Sequence, residues 1–260
     1  MSSSTKQPPS PSLLEVRNVQ KHFGRVVALR EANFALRPNE VHAIVGDNGA
    51  GKSTLIKIIS GVFHADGGEI AINGRPVTIA NPREARELGI ETVYQDLALA
   101  DHLDAASNLF LGREVLRPPP LSWFGFLDKR AMRRRAQEEM RRLKIGIQSV
   151  DQPVLRLSGG QRQAVAVARA IAWGTQIVIL DEPTAALGVR ESSMVLELIT
   201  EVRSQGVAVV MISHNLPEVF AVADRITVLR HGRTIVSLDK TETSLDAVVG
   251  MMTGAVAVAA

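Results

Sequence analysis

Three short runs of largely apolar character, Val41 to Val45, Ile177 to Leu180 and Val207 to Ile212, have the pattern of strands buried on both faces. Between them the apolar spacing changes to that of helices. Leu55, Ile56, Ile58 and Ile59 follow the first run, and a helical segment containing Ala164 to Ala172 precedes the second. Val195, Leu198, Ile199 and Val202 lie on one face of a segment over 189–205 that ends at Gly206. Strands alternating with helices predict an α/β fold around a parallel sheet. Residues 13–45 and 69–94 instead predict short strands joined by turns, with Asn73-Gly74 as a hairpin signal. A second hairpin is expected at His231-Gly232, between 225–229 and 234–238. Residues 96–157 break the alternation with Pro118 to Pro120 and a helix over 129–144, which predicts an inserted helical lobe.

Composition narrows the class. A chain of 260 residues that is 45% hydrophobic can bury a substantial core as one large domain or two joined lobes. It has no cysteine, which excludes disulfides and thiolate metal sites. No apolar stretch approaches the roughly 20 residues needed to cross a bilayer. The segment 1–12, rich in Ser and Pro, lacks a signal peptide's apolar centre and is expected to be a disordered tail; 253–260 is expected to form a second tail. A net charge of +3 is too balanced to imply nucleic acid, and the chain is expected in the cytoplasm.

The chemistry starts directly after the first buried run. Gly46, Asp47, Asn48, Gly49, Ala50, Gly51, Lys52, Ser53 and Thr54 form a glycine-rich loop between a strand and a helix. Its glycines let successive N–H groups wrap an anion, and the helix N-terminus adds partial positive charge. Lys52 can neutralise β- and γ-phosphate oxygens, and the Ser53 hydroxyl can ligate Mg²⁺. The second run ends in Asp181 and Glu182. Asp181 can hold a Mg²⁺ shell through water, and Glu182 can polarise a water attacking a γ-phosphate. No Asn-Lys-x-Asp motif for guanine is present, so ATP rather than GTP is expected.

Between these two motifs stands Leu157-Ser158-Gly159-Gly160-Gln161-Arg162-Gln163, with Ser158 as a helix N-cap. In that order the three motifs resemble the ABC-type ATPases, and the resemblance runs from about Leu13 to Met252. It implies a P-loop NTPase core of RecA-like type with an N-terminal antiparallel β subdomain and an inserted helical subdomain. The core would comprise 13–95 and 158–252, and the insert 96–157. It also implies a head-to-tail dimer, in which Ser158, Gly159, Gly160 and Gln161 of one subunit cover the γ-phosphate held by the other. Phe23 stands where the family stacks an aromatic on adenine, although a buried strand-end Phe also fits the sequence. Gln95 matches the glutamine of the Mg²⁺ or water shell, and His214 the histidine that contacts the γ-phosphate. One position departs from the pattern. Ala185-Ala186-Leu187-Gly188 stands where the family commonly reads Ser-Ala-Leu-Asp, so a cross-dimer carboxylate is missing.

Residues 91–96 and 107–114 are similar to bacterial monosaccharide importers of the ribose, xylose and fructose type, most of all the single-cassette variety associated with fructose. That similarity implies an ATPase at the cytoplasmic face of the inner membrane, with a second such subunit, a membrane permease and, indirectly, a periplasmic sugar-binding protein as partners. The contrasting readings are a soluble ABC ATPase acting on ribosomes or DNA and a regulatory ATP-binding module. In the insert, Arg130, Arg133, Arg134, Arg135, Arg141 and Arg142 read as a solvated helix face or as an anion-binding patch. Trp123, Phe124 and Phe126 read as core of the small lobe or as a surface for a partner.

Overall fold

The central strands owe their continuous apolar character to two separate cores, one on each side of the sheet. In β7 (Ile177–Asp181), Ile177 and Ile179 join one buried cluster while Val178 and Leu180 join the other. In β8 (Ala208–Ile212), Ala208, Val210 and Ile212 face one side, and Val209 and Met211 the opposite one. Successive residues of a strand point to opposite faces, so a strand covered on both sides is apolar at nearly every position.

The computed structural model describes residues 12–255. The expected disorder of the N-terminal tail falls on residues 1–11, outside the described residues, apart from Ser12. Two long strands come first, β1 (Leu14–Phe23) and β2 (Val26–Leu36). They correct the expectation of short strands, because bulges near Val16, Val19 and Lys21 let them twist without interruption. Next come β3 (Val41–Val45), α1 (Lys52–Ile59), β4 (Gly67–Ile72) and β5 (Arg75–Val77). The helix α2 (Pro82–Glu87) is a second correction to a region read as strands and turns. The Asn81 side chain accepts from the N–H groups of Arg83 and Glu84, and Pro82 needs no donor at the first helical position. After β6 (Ile90–Val93), the insert holds α3 (Ala105–Leu109), a 3₁₀ turn at Leu121–Phe124 and α4 (Lys129–Arg142). Lys144 adopts a positive φ, so α4 ends before the expected boundary.

The remaining elements are α5 (Gly159–Ile171), β7, α6 (Val189–Ser204), β8, α7 (Leu216–Val222), β9 (Arg225–Arg230), β10 (Arg233–Asp239) and α8 (Leu245–Thr253). Helix α8 runs into the expected C-terminal tail and stops at Gly254, whose φ of 84° forms a left-handed cap.

One ten-stranded sheet carries these elements in the order β5-β4-β1-β2-β10-β9-β3-β8-β7-β6. The first four strands pair antiparallel, and β9-β3-β8-β7-β6 pair parallel. Helices α3 to α6 share a core with one face of the parallel strands. Helix α1 lies on the other face, where Leu55, Ile56, Ile58 and Ile59 pack with the antiparallel layer. A third core unites α7, α8, β3 and β9.

Candidate nucleotide site

Register brings the sequence motifs to one edge. Val93 lies beside Leu180, Asp181 beside Ile212, and Ile44 beside Ile212. The residues leaving these strand ends are Gln95, Glu182, His214 and Gly46, so four distant parts of the sequence share the carboxyl edge of the parallel sheet. That edge is where open α/β sheets place their ligands. The Tyr94 hydroxyl bonds the Ser60 hydroxyl over 2.9 Å and ties the end of β6 to the end of α1.

The loop from Gly46 to Gly51 is shaped by its neighbours as much as by an anion. At Gly46 (φ 156°) a Cβ would lie 2.2 Å from the Leu229 carbonyl oxygen, and at Gly51 (φ 104°) 2.6 Å from Leu29. Glycine is therefore required at both positions by close approach as well as by backbone angle. No side chain caps α1, which leaves its first N–H groups pointing from Lys52, Ser53 and Thr54 without intrahelical partners. Lys52 is buried and folds back, donating to the Gly46 carbonyl at 2.6 Å and the Asp47 carbonyl at 3.0 Å. Burial lowers its ammonium pKa, while Glu182, Asp47 and Asp181 oppose that shift. Ser53 is exposed, as is Gln95.

Asp181 and Glu182 stand side by side at the end of β7. Burial raises the Asp181 carboxyl above its ordinary range and the Glu182 charge adds to this, against Lys57 and Lys52. Glu182 adopts a left-handed backbone (φ 50°), unusual for a non-glycine residue, and its N–H donates to the Ile212 carbonyl at 2.9 Å. This turn aims its carboxylate at His214, whose Nδ1 lies 3.0 Å away. The two groups are 32 residues apart in sequence, so local pattern could not have paired them.

Phe23 is 41% exposed at the end of β1, which rules out the buried alternative. It meets Phe63 edge-to-face at 5.1 Å, with the Lys21 ammonium 5.5 Å from its ring centre. Lys21 also pairs with Asp66, whose carboxyl falls to about 2 through hydrogen bonds from Lys21 and the His22 backbone. Part of the Phe23 ring thus stays exposed.

The second motif cluster is built differently. Ser158 caps α5 by accepting from the Gln161 N–H at 3.3 Å, and the Gln161 side chain accepts from the Ser158 N–H at 3.1 Å. A Cβ on Gly159 would meet Leu187 at 2.6 Å, and one on Gly160 would meet the Cβ of Glu191 at 3.1 Å. Both glycines are therefore crowded by the start of α6 and the residue before Gly188, a reason invisible in sequence. The Glu191 carboxylate itself stands at this helix end. Hydrogen bonds from Ser158, and from the backbone of Gly188, Gly160 and Gly159, lower its pKa. Sequence reading missed Glu191 because its approach to α5 is tertiary. Among the described residues, no hydrogen bond joins 46–54 to 158–161.

With this geometry in place, residues 29–185 match the ABC transporter family. The chain belongs to the ABC transporter family. Membership makes the chain an ATP-hydrolysing cassette of a transporter. The cassette is 51% identical to a fructose import ATP-binding protein of Rhizobium meliloti, with 94% of each chain covered. It is 45% identical to a xylose/arabinose import ATP-binding protein of Sulfolobus acidocaldarius, over 93% of this chain and 94% of that protein. A ribose import ATP-binding protein of Bacillus subtilis is 40% identical over 93% of this cassette but only 48% of its own length. Among solved structures, a nucleotide-free ATP-binding cassette shares the fold (TM-score 0.78, 24% identity, 92% and 98% covered). A dimeric post-hydrolysis cassette bound to ADP and Pi gives a TM-score of 0.71 at 26% identity, with 87% and 98% covered.

Proposed function

We propose that this cassette hydrolyses ATP to drive import of a monosaccharide, of which fructose is the first to test, through a membrane permease. Two copies act head to tail at the cytoplasmic face of the inner membrane, and a periplasmic sugar-binding protein delivers the sugar. The observation carrying this reading is the single edge that gathers the P-loop, Asp181, Glu182 and His214 while the helix end at Ser158 makes no bond to that loop. A second copy supplies what one copy lacks. The importer names of the relatives that cover the whole cassette support the sugar.

Each residue's part follows from its position. Residues 46–54 wrap the phosphates with backbone N–H groups, and Lys52 exchanges its two carbonyl partners for phosphate oxygens. Phe23 offers the exposed part of its ring to adenine. Glu182 takes a proton from the attacking water, whose oxygen bonds to the γ-phosphorus as the bond to ADP breaks. His214 contacts the γ-phosphate beside Glu182. Ser158, Gly159, Gly160 and Gln161 of the other subunit cover it with the exposed end of α5.

The donor set fits Mg²⁺. The Ser53 hydroxyl, Asp181 carboxylate and Gln95 amide oxygen are hard oxygen donors, and two adjacent carboxylates with one pKa raised favour a nearby cation. No cluster of three His, Cys, Asp or Glu side chains exists among the described residues, which suits an ion that takes its other ligands from phosphate and water. When bound it supplies charge neutralisation at the phosphates.

Residues 96–157 form the lobe that moves with the permease. A cleft of about 290 Å³ opens between this lobe and β6, with Glu91, Leu97, Leu111 and Arg113 on its walls. Arg113 donates to Glu91 at 3.0 Å, and Arg169 holds the Leu97 and Ala98 carbonyls at 2.7 and 2.8 Å. The cleft receives a short segment of the permease. Deleting the cassette gene and measuring uptake of labelled fructose, xylose and ribose tests the function. Loss of uptake of one of them, restored by the intact cassette but not by Glu182→Gln, is expected; unchanged uptake of all three contradicts the proposed substrate class.

A further inference from the structure

The sequence left Trp123, Phe124 and Phe126 between core and surface, and the structure decides against core. Trp123 is 79% exposed, Phe124 76% and Phe126 54%, with Leu116 and Leu121 exposed beside them. Three of the chain's ten aromatic residues thus stand in water within four positions. A patch of this kind marks a contact with a protein or a membrane.

The segment is held in one shape. An antiparallel bridge pairs Leu116 with Leu127, Arg117 N–H donates to the Phe126 carbonyl at 2.8 Å, and Asp128 N–H donates to the Val115 carbonyl at 2.7 Å. Inside this clasp a 3₁₀ turn carries Trp123 and Phe124, closed by Gly125 at φ 72°. The loop presents its apolar side chains before any partner arrives.

Charge separates the two kinds of partner. Residues 113–135 hold seven basic and two acidic residues, a net +5, while the whole chain carries only +3. Of the two acids, Asp128 is spent capping α4, and Glu114 accepts from the Gly112 N–H. Arg113 pairs with Glu91 and Arg133 with Asp151. Among the described residues, Arg117, Lys129, Arg130, Arg134 and Arg135 have no carboxylate partner, and all five are exposed. Arg117 lies across the clasp from Phe126, and Lys129 and Arg130 follow it by three and four residues. Arg134 repeats Arg130 one helical turn later. A clasped loop of Trp, Phe and Leu with a collar of unpaired cations matches the headgroup layer of an anionic bilayer, where aromatic rings settle at the interface and each cation adds attraction. The loop also adjoins the cleft that receives the permease, since Leu111 and Arg113 form part of that cleft's wall.

We propose that residues 116–130 are a lipid-contact site, with Trp123, Phe124 and Phe126 entering the headgroup region of an anionic membrane and Arg117, Lys129 and Arg130 pairing with its phosphates. The site goes beyond the transport reading and does not depend on the sugar. It holds the cassette's insert against the bilayer next to the permease, independently of the nucleotide.

The test uses the purified full chain without a permease and vesicles of phosphatidylglycerol or of phosphatidylcholine. Flotation is expected with phosphatidylglycerol and not with phosphatidylcholine, weakening as salt is raised. Emission of the wild-type chain should shift to the blue on binding, and the Trp123→Phe variant should lose that shift, because the other tryptophan, Trp173, is packed against Phe110 and Arg113. Trp123→Ser with Phe124→Ser should lower vesicle affinity about tenfold or more. Arg130→Ala should lower it about fivefold. ATPase activity in solution should stay unchanged in all these variants, which also shows that they fold. Failure to float with phosphatidylglycerol overturns the proposal, as does equal flotation of the double serine variant. If the serine variant loses transport while wild-type protein binds no vesicles, the partner is protein and the lipid site is refuted.

Discussion

The two walls proposed to enclose ATP, the P-loop and the helix end at Ser158, are made in opposite ways. The P-loop wall is set into the sheet. Gly46 and Gly51 press on β9 and β2, Lys52 is buried, and α1 is anchored by four buried apolar residues. The wall at Ser158 has that side chain exposed over a buried Gly160, rests on the start of α6, and already has an anion of its own chain, the Glu191 carboxylate, at its helix end. On the proposed reading, one wall is a finished receptor and the other a surface for a second copy. The preorganised wall should then bind nucleotide in a single copy, and the exposed one should act only when a second copy brings phosphate to it.

The largest effect should come from attacking the finished wall. Lys52→Ala removes the cation that faces the phosphates and should reduce hydrolysis by about 10²-fold or more, with weakened ATP binding measured by titration calorimetry. Unchanged affinity and turnover together would break the assignment of this wall.

Asp181→Asn at the same wall should act on stability as well as on activity. The Asp181 carboxyl is raised by burial and by Glu182, so the folded chain holds that proton more tightly than the unfolded chain. Its ionisation therefore costs stability as pH rises from the ordinary carboxylate range through the raised pKa, and the cost persists at neutral pH. The Asn variant should lose activity yet melt at a higher temperature near neutral pH, with the gap closing at acid pH below both values. A lower Tm at neutral pH would contradict this.

The exposed wall should respond in the opposite sense. Glu191→Gln removes the charge at the end of α5 and should tighten ATP-driven dimerisation a few-fold, because the incoming phosphate no longer meets a carboxylate. Looser dimers would mean that Glu191 supports the closed state. Gly188→Asp should have the smallest effect. Gly188 sits at φ −73°, and a Cβ there meets no atom within 4 Å, so Asp is accommodated. It should stabilise α6 as an N-cap by a few tenths of a kcal/mol and the ATP dimer by about 1 kcal/mol if one cross-dimer hydrogen bond is regained. A weaker dimer in that variant would show that glycine is required.

What the sequence made legible follows the same division. Strand–loop–helix and strand–carboxylate patterns are local, so residues 46–54 and 181–182 could be found by reading along the chain. The alternation of apolar runs likewise placed β3, β7 and β8. Contacts across the fold were not legible. Glu182 meets His214 because β7 and β8 are neighbours, Gly159 and Gly160 are crowded by Leu187 and Glu191, and α2 depends on a single capped turn after Asn81. The exposure of Trp123 was undecidable because its spacing suits a core and a surface equally.

The claim that one cassette holds a finished wall and an unfinished one is tested most directly by the mass of Glu182→Gln protein with and without ATP, measured by light scattering after size-exclusion chromatography. Losing the base should slow hydrolysis by about 10²–10⁴-fold, long enough to trap the ATP-bound form. A monomer is expected without nucleotide and a dimer with MgATP, abolished when Ser158→Arg blocks the second wall. A Glu182→Gln protein that binds ATP tightly and remains monomeric, at protein concentrations well above those of the cell and with its permease present, would contradict it.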